Sequence, residues 1–90
     1  MIENNTPVDV ICMMDKTGKI TPLKIRIEND EGQNVISKII EVVYSKENNY
    51  AGITTIDYGC KVAFDEIPQL IELRYYVSDR IWKLHKVVWG

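Results

Sequence analysis

Ninety residues with a formal net charge of −2 make one domain, which leaves no room for a second and limits the fraction of surface that folding can bury. At 46% hydrophobic and 27% charged, the chain has the profile of a folded globular protein, which excludes a disordered segment. Its slightly acidic balance excludes a protein that grips phosphate backbones through a whole-molecule positive field.

The first residues, Met1-Ile-Glu-Asn-Asn-Thr-Pro7, have neither the basic start nor the apolar run of a signal peptide. No stretch is long enough to span a bilayer, so a cytoplasmic setting without membrane contact is expected. Residues 1–7 read as a polar leader and residues 8–90 as a single β domain.

Val8, Val10, Cys12 and Met14 alternate with Asp9, Ile11 and Met13, which predicts a strand with one strongly apolar face and one mixed face. Asp15-Lys-Thr-Gly-Lys19 then closes a hairpin, with Gly18 supplying a positive φ and Asp15 bonding to its own turn. The Gly-Lys pair in it lacks the long glycine-rich loop and following helix of a phosphate cradle. Leu23, Ile25 and Ile27 should point inward on the next strand and Lys24, Arg26 and Glu28 outward. Pro22 has no amide donor and belongs at a strand start, a bulge or an unpaired edge. A turn, Asn29-Asp-Glu-Gly-Gln33, follows.

Residues 34–46 have two readings. Val35, Ile36, Ile39, Ile40 and Val43 fall at helical spacing, whereas Ile36, Ile40, Val42 and Tyr44 fit one face of a strand with a polar lapse at Lys38. The density of Val, Ile and Tyr favours the strand, because these side chains lose rotamer freedom in helices and pack well on pleated surfaces. Residues 45–52 are polar and read as a loop.

Ile56, Tyr58, Cys60, Val62 and Phe64 then alternate cleanly and predict a central strand, in which Gly59 marks a bend, a bulge or a close backbone approach. After a loop at residues 65–69, Ile71, Leu73, Tyr75 and Val77 share one face. Beyond Ser78-Asp79, Trp82 and Leu84 return opposite them as a terminal hairpin. Six strands joined by short connections make an all-β fold, a six-stranded antiparallel small barrel or rolled meander. The fold becomes α+β if residues 34–46 are helical.

Cys12 and Cys60 sit on separate predicted strands without metal-site or redox spacing, so two buried reduced thiols are expected, with a disulfide left open. His85 is the single histidine, and no sequence spacing marks a partner for it. It reads as a solvent-facing strand residue with no catalytic role. No cofactor, metal or nucleophile motif is present, and the expectation is a non-enzymatic protein.

Two surfaces are candidates for function. Ile11, Met13, Ile81, Val87 and Trp89 fall, with Tyr76, on the face opposite the predicted core, a surplus of wet hydrophobes that points to protein contact or self-association. Tyr76, Lys83, His85 and Lys86 form a basic and aromatic set on the terminal hairpin that could stack on bases and pair phosphates of a single strand. The basic end, with Arg74, Arg80, Lys83 and Lys86 against Glu72 and Asp79, contrasts with residues 31–69, where six acids face three bases. The apolar surplus ranks first and nucleic acid second.

Val8-Asp-Val-Ile-Cys-Met-Met-Asp-Lys-Thr-Gly-Lys-Ile-Thr-Pro-Leu-Lys-Ile-Arg-Ile-Glu28, together with Ile71-Glu-Leu-Arg-Tyr-Tyr76 and Trp82-Lys-Leu-His-Lys-Val87, resembles a family of small uncharacterised β-barrel proteins from Gram-positive anaerobic bacteria. The resemblance implies a compact barrel in a bacterial cytoplasm and brings no catalytic or binding residues.

Overall fold

The computed structural model describes residues 5–89. Among them every regular element is a strand: β1 (Thr6–Met14), β2 (Ile20–Glu28), β3 (Asn34–Lys38), β4 (Glu41–Tyr50), β5 (Ile53–Phe64), β6 (Ile67–Tyr76) and β7 (Ile81–Trp89). They form one antiparallel sheet in the order β3-β2-β1-β7-β6-β5-β4. The chain is thus a meander in which each strand pairs with its sequence neighbour, except that the first pairs with the last and β3 does not pair with β4. The sheet curls into a half-barrel whose two edge strands are consecutive in sequence.

That seam is where the strand count rises to seven. Residues 34–46 are extended, not helical, but they do not make one strand, because the chain leaves one sheet edge at Ile39 and joins the other at Ile40. The Ile39 amide donates to the Leu23 carbonyl and the Ile40 amide to the Lys61 carbonyl, both at 2.8 Å. Ser37, buried beside the seam, accepts from the Ala63 amide at 3.1 Å. The expected common face of Ile36, Ile40, Val42 and Tyr44 is lost. Val42 alone packs on the core, while Ile36 and Ile40 are exposed.

Bulges on β2 and β4 redirect side chains that strict alternation had assigned. On β2 the register passes from Ile11↔Lys24 to Cys12↔Pro22, so Leu23 is the extra residue. Leu23 is therefore exposed, and Ile20 and Pro22 fill the core with Ile25 and Ile27. Pro22 sits at this bulge, past the end of the β2–β3 ladder at Lys24↔Lys38, where its missing donor costs no ladder bond. On β4 the register passes from Val42↔Cys60 to Tyr44↔Gly59, with Val43 extra, and Tyr44 turns to the outer face.

The turns follow local chemistry. Asp15 Oδ1 accepts from the Thr17 and Lys19 amides at 2.8 and 3.0 Å and from the Thr17 hydroxyl at 2.6 Å. Asn29 Oδ1 repeats the pattern with the Glu31 and Gln33 amides at 3.0 and 2.9 Å. Gly18 and Gly32, each three residues on, take positive φ of 88° and 77°. The expected loop at residues 45–52 shrinks to Ala51-Gly52, and that at residues 65–69 to Asp65-Glu66. All four turn residues have positive φ, as tight hairpin turns matching strand twist require.

The core lies on the concave side. Ile25, Val62, Ile71, Leu73 and Leu84 are fully buried, each contributing ~1.5–3 kcal/mol relative to exposure. The terminal hairpin pairs Tyr75↔Trp82 and Leu73↔Leu84 as the alternation predicts. Val77 falls in the turn and is exposed. Trp82 packs between Tyr75 and Tyr58, with centroid separations of 4.9 and 5.3 Å. The Tyr58 hydroxyl donates to the Ile20 carbonyl at 2.7 Å, tying β5 to β2 across the core.

Thr6 and Pro7, assigned to the leader, belong to β1, and residues 1–4 of that leader lie outside the described residues. Cys60 is buried, but Cys12 and Met14, expected inward, are exposed because β1 runs past the end of its neighbour. Both thiols are free.

Candidate interaction surface

The convex face of β4 to β7 carries a polar network over the apolar core. Asp57 and Glu72 are each only 8% exposed. Arg74 grips Asp57 with both arms of its guanidinium, Nε to Oδ1 at 2.7 Å and Nη2 to Oδ2 at 3.1 Å, and Asn48 Nδ2 donates to Asp57 Oδ2 at 2.9 Å. Burial opposes the charge on Asp57, but the Arg74 hydrogen bonds and charge, aided by Asn48, outweigh it and hold the carboxyl below its ordinary value.

Next to this pair, the Tyr44 hydroxyl donates to Glu72 Oε1 at 2.7 Å. Burial first, and then that bond, push the phenol up to about 12, so it is a hydrogen-bond donor and not a base across the physiological range. His85 is half-buried rather than solvent-facing. Its Nε2 lies 3.6 Å from Glu72 Oε2 and its Nδ1 3.3 Å from Asn5 Oδ1. Glu72 comes from the neighbouring strand β6 and Asn5 from the far end of the chain, and the bulge at His85 sets it off the simple hairpin alternation, so spacing gave no sign of either partner.

The basic and aromatic set is gathered on this face, but acids stand among its cations. The Lys83 ammonium stands 5.0 Å from the centroid of the Tyr76 ring. Lys86 is exposed and pairs in register with Glu72. Arg74 is engaged by Asp57. Acids and bases therefore interleave where nucleic acid would want a basic stripe.

The apolar set divides between the two ends of the β1–β7 ladder. That ladder covers only Thr6↔Leu84, Pro7↔Lys83 and Val8↔Trp82. Ile11 and Met13 lie beyond the start of β7, near Ile81, whereas Val87 and Trp89 lie beyond the start of β1, about 25 Å away at the rise of a strand. Val87 pairs with the core residue Ile71 after a bulge at His85, so it is a half-open rim residue on the core side and not on the outer face. Trp89 pairs with Leu70 at the far corner.

What remains together is a strand with a bare edge. Past Val8, β1 is bonded to β2 on one side and, among the described residues, to no strand on the other. Ile11, Met13 and Met14 are 60%, 51% and 63% exposed. Ile36 of β3 extends the patch across β2, and a shallow cleft of about 380 Å³ lies between Ile11, Lys24, Arg26 and Ile36. The Asp9 carboxylate accepts from Arg26 Nε and Nη2 at 2.9 and 2.6 Å and closes the patch on the β7 side. Sequence reasoning assigned Met14 to the core and did not select Ile36. The available signal was Val10-Ile-Cys-Met-Met14, apolar at both parities and without a lysine or proline.

No family model, no curated protein and no solved structure matches this chain.

Proposed function

We propose that this protein is a non-enzymatic interaction module that accepts a strand from a partner protein along the open edge of β1. The observation that carries the reading is the half-unpaired β1, whose residues 10–14 are apolar and whose Ile11, Met13 and Met14 side chains stand in water.

An extended edge of this kind offers unpaired backbone donors and acceptors next to hydrophobic side chains, and proteins ordinarily blunt such edges with charge or proline. This one blunts its other long edge: β4 carries Glu41, Lys46 and Glu47. An unguarded apolar edge beside a guarded one supports strand addition, in which main-chain bonds supply affinity and alternate side chains supply selectivity.

The test is hydrogen exchange at the alternate amides of residues 10–14 that point away from β2. In dilute protein they should exchange fast. Octapeptides of alternating apolar and polar residues, with acidic, basic or neutral flanks, should include sequences that slow them, and Met13→Lys should remove the effect. Amides already protected in dilute protein, or untouched by every peptide, overturn the reading. A mixed single-stranded oligonucleotide that binds the β6–β7 face while all peptides fail would put nucleic acid in its place.

A further inference from the structure

We infer that the outer face of β1, β2 and β3 holds a small amphipathic anion, a carboxylate on an alkyl chain, with its head between Lys24 and Lys38 and its chain in the cleft between Ile11 and Ile36. The site lies on the face of the sheet and does not draw on the unpaired backbone of β1.

Residues directly opposite in an antiparallel pair stand on one face with Cα atoms about 4.5–5.5 Å apart, and like charges so placed repel. Most outward cations of this sheet face an acid: Asp9↔Arg26, Glu41↔Lys61, Asp57↔Arg74 and Glu72↔Lys86. Lys24 instead faces Lys38 on one side and Ile11 on the other. Neither lysine has an ion pair among the described residues. Arg74 and Lys83 also face each other, but Arg74 is held by Asp57 and Lys83 stands over the Tyr76 ring. The sheet thus leaves Lys24 and Lys38 without the counter-charge it supplies elsewhere.

Beside that pair the face is apolar. The next row along the strands is Asp9, Arg26 and Ile36, in register. Ile11 and Ile36 therefore stand on opposite sides of β2, one row apart, and both are exposed. Two strand spacings and one two-residue step separate them by about 12 Å, the reach of a medium-length alkyl chain. The shallow cleft between them, about 380 Å³, falls at the lower end of the small-ligand range and is lined by Lys24 and Arg26, whose stems are apolar.

Asp9 holds Arg26 through Nε and Nη2, so this arginine walls the cleft and leaves the anion to the lysines. Across the two rows Lys24, Lys38 and Arg26 stand against Asp9 alone, on a chain whose net charge is −2. A carboxylate head is drawn to the two ammoniums while its chain covers the isoleucines. A neutral alcohol lacks the first attraction and a bare anion the second.

The probe is octanoate, titrated into the full chain at low salt while backbone amide shifts are recorded. Shifts should saturate at residues 24–26 and 36–38. Octanoate should bind at least tenfold tighter than octanol, acetate or octyltrimethylammonium, with an affinity that falls as salt rises. Lys24→Met with Lys38→Met, which removes both charges and keeps the apolar stems, should weaken octanoate at least tenfold, whereas Lys24→Arg should retain it.

Lys24→Glu separates binding from folding. It sets an acid opposite Lys38, so the urea midpoint should rise while octanoate binding is lost. A lower midpoint would show that the lysine pair carries no repulsion and would overturn the inference. So would octanol binding as tightly as octanoate, equal affinity in the double methionine variant, or shifts that never saturate. Phosphatidylglycerol vesicles or a glutamate-rich octapeptide that move these amides while octanoate moves none would overturn the small carboxylate as occupant.

Discussion

The ring of Tyr44 occupies the space that a side chain at Gly59 would need: a Cβ built there would fall within 2.5 Å of its Cδ2 and Cζ atoms. The bulge at Val43 makes this possible by turning Tyr44 to the outer face directly opposite Gly59. A glycine inside a strand costs stability through chain entropy, and a cross-strand aromatic that covers it offsets the loss.

Gly59→Ala should displace Tyr44 from Glu72 and lower stability by ~1.5–3 kcal/mol, the worth of a hydrogen bond to a charged group. In a Tyr44→Ala background the same change should be neutral or stabilising by up to ~1 kcal/mol, because alanine restricts the unfolded chain. Urea unfolding of the four proteins reads the cycle. Equal effects in both backgrounds would show that the two residues are not coupled.

Arg74→Met should cost ~2–3 kcal/mol at pH 7, since it leaves Asp57 charged and shielded from water without its partner. The folded carboxyl titrates below its unfolded value, so the stability it contributes is complete above about pH 4 and is lost as pH falls through the depressed value. The difference between wild type and Arg74→Met should therefore shrink on acidification, measured as urea midpoints between pH 7 and pH 2. A constant gap would sink this account.

Tyr44 has the opposite sign. Its phenol is raised from 10.0 to about 12, so its contribution is complete below pH 10 and is lost as pH rises through about 12. Ultraviolet titration should show late-ionising tyrosine. Tyr44→Phe should remove part of that phase and leave the rest to Tyr58, which burial also raises.

Cys12 is exposed, whereas burial pushes the Cys60 thiol up to about 12. A disulfide reagent should modify one thiol per folded monomer, that of Cys12, and reach Cys60 only through unfolding, at a rate that rises with urea. Rapid native modification of both would contradict the buried placement.

The class of fold and most of the concave face were legible from alternation, because period-two patterning and the opposition of Tyr75 to Trp82 depend only on local chain geometry. Turn chemistry was equally local: Asp15 and Gly18 behave as their side chains and backbone freedom require. Three of the misassigned residues lie at or beyond register shifts. Leu23, Tyr44 and Val87 each flip face at or after a bulge, and a bulge reflects pairing with another strand, which no single strand's pattern encodes.

The candidate surface divides in the same way. Five successive apolar residues at 10–14 were visible as a departure from alternation, and Gly59 was visible as a bend, a bulge or a close approach. That β7 begins beside Asp9 and leaves β1 open, that Arg74 belongs to Asp57, and that His85 lies against Glu72 were decided by the tertiary fold. The sequence by itself determined an all-β chain with an apolar inner face, since side-chain direction in a strand is a local property. Which edge stays bare depends on where each strand stops relative to its neighbours, and only the assembled sheet decides that.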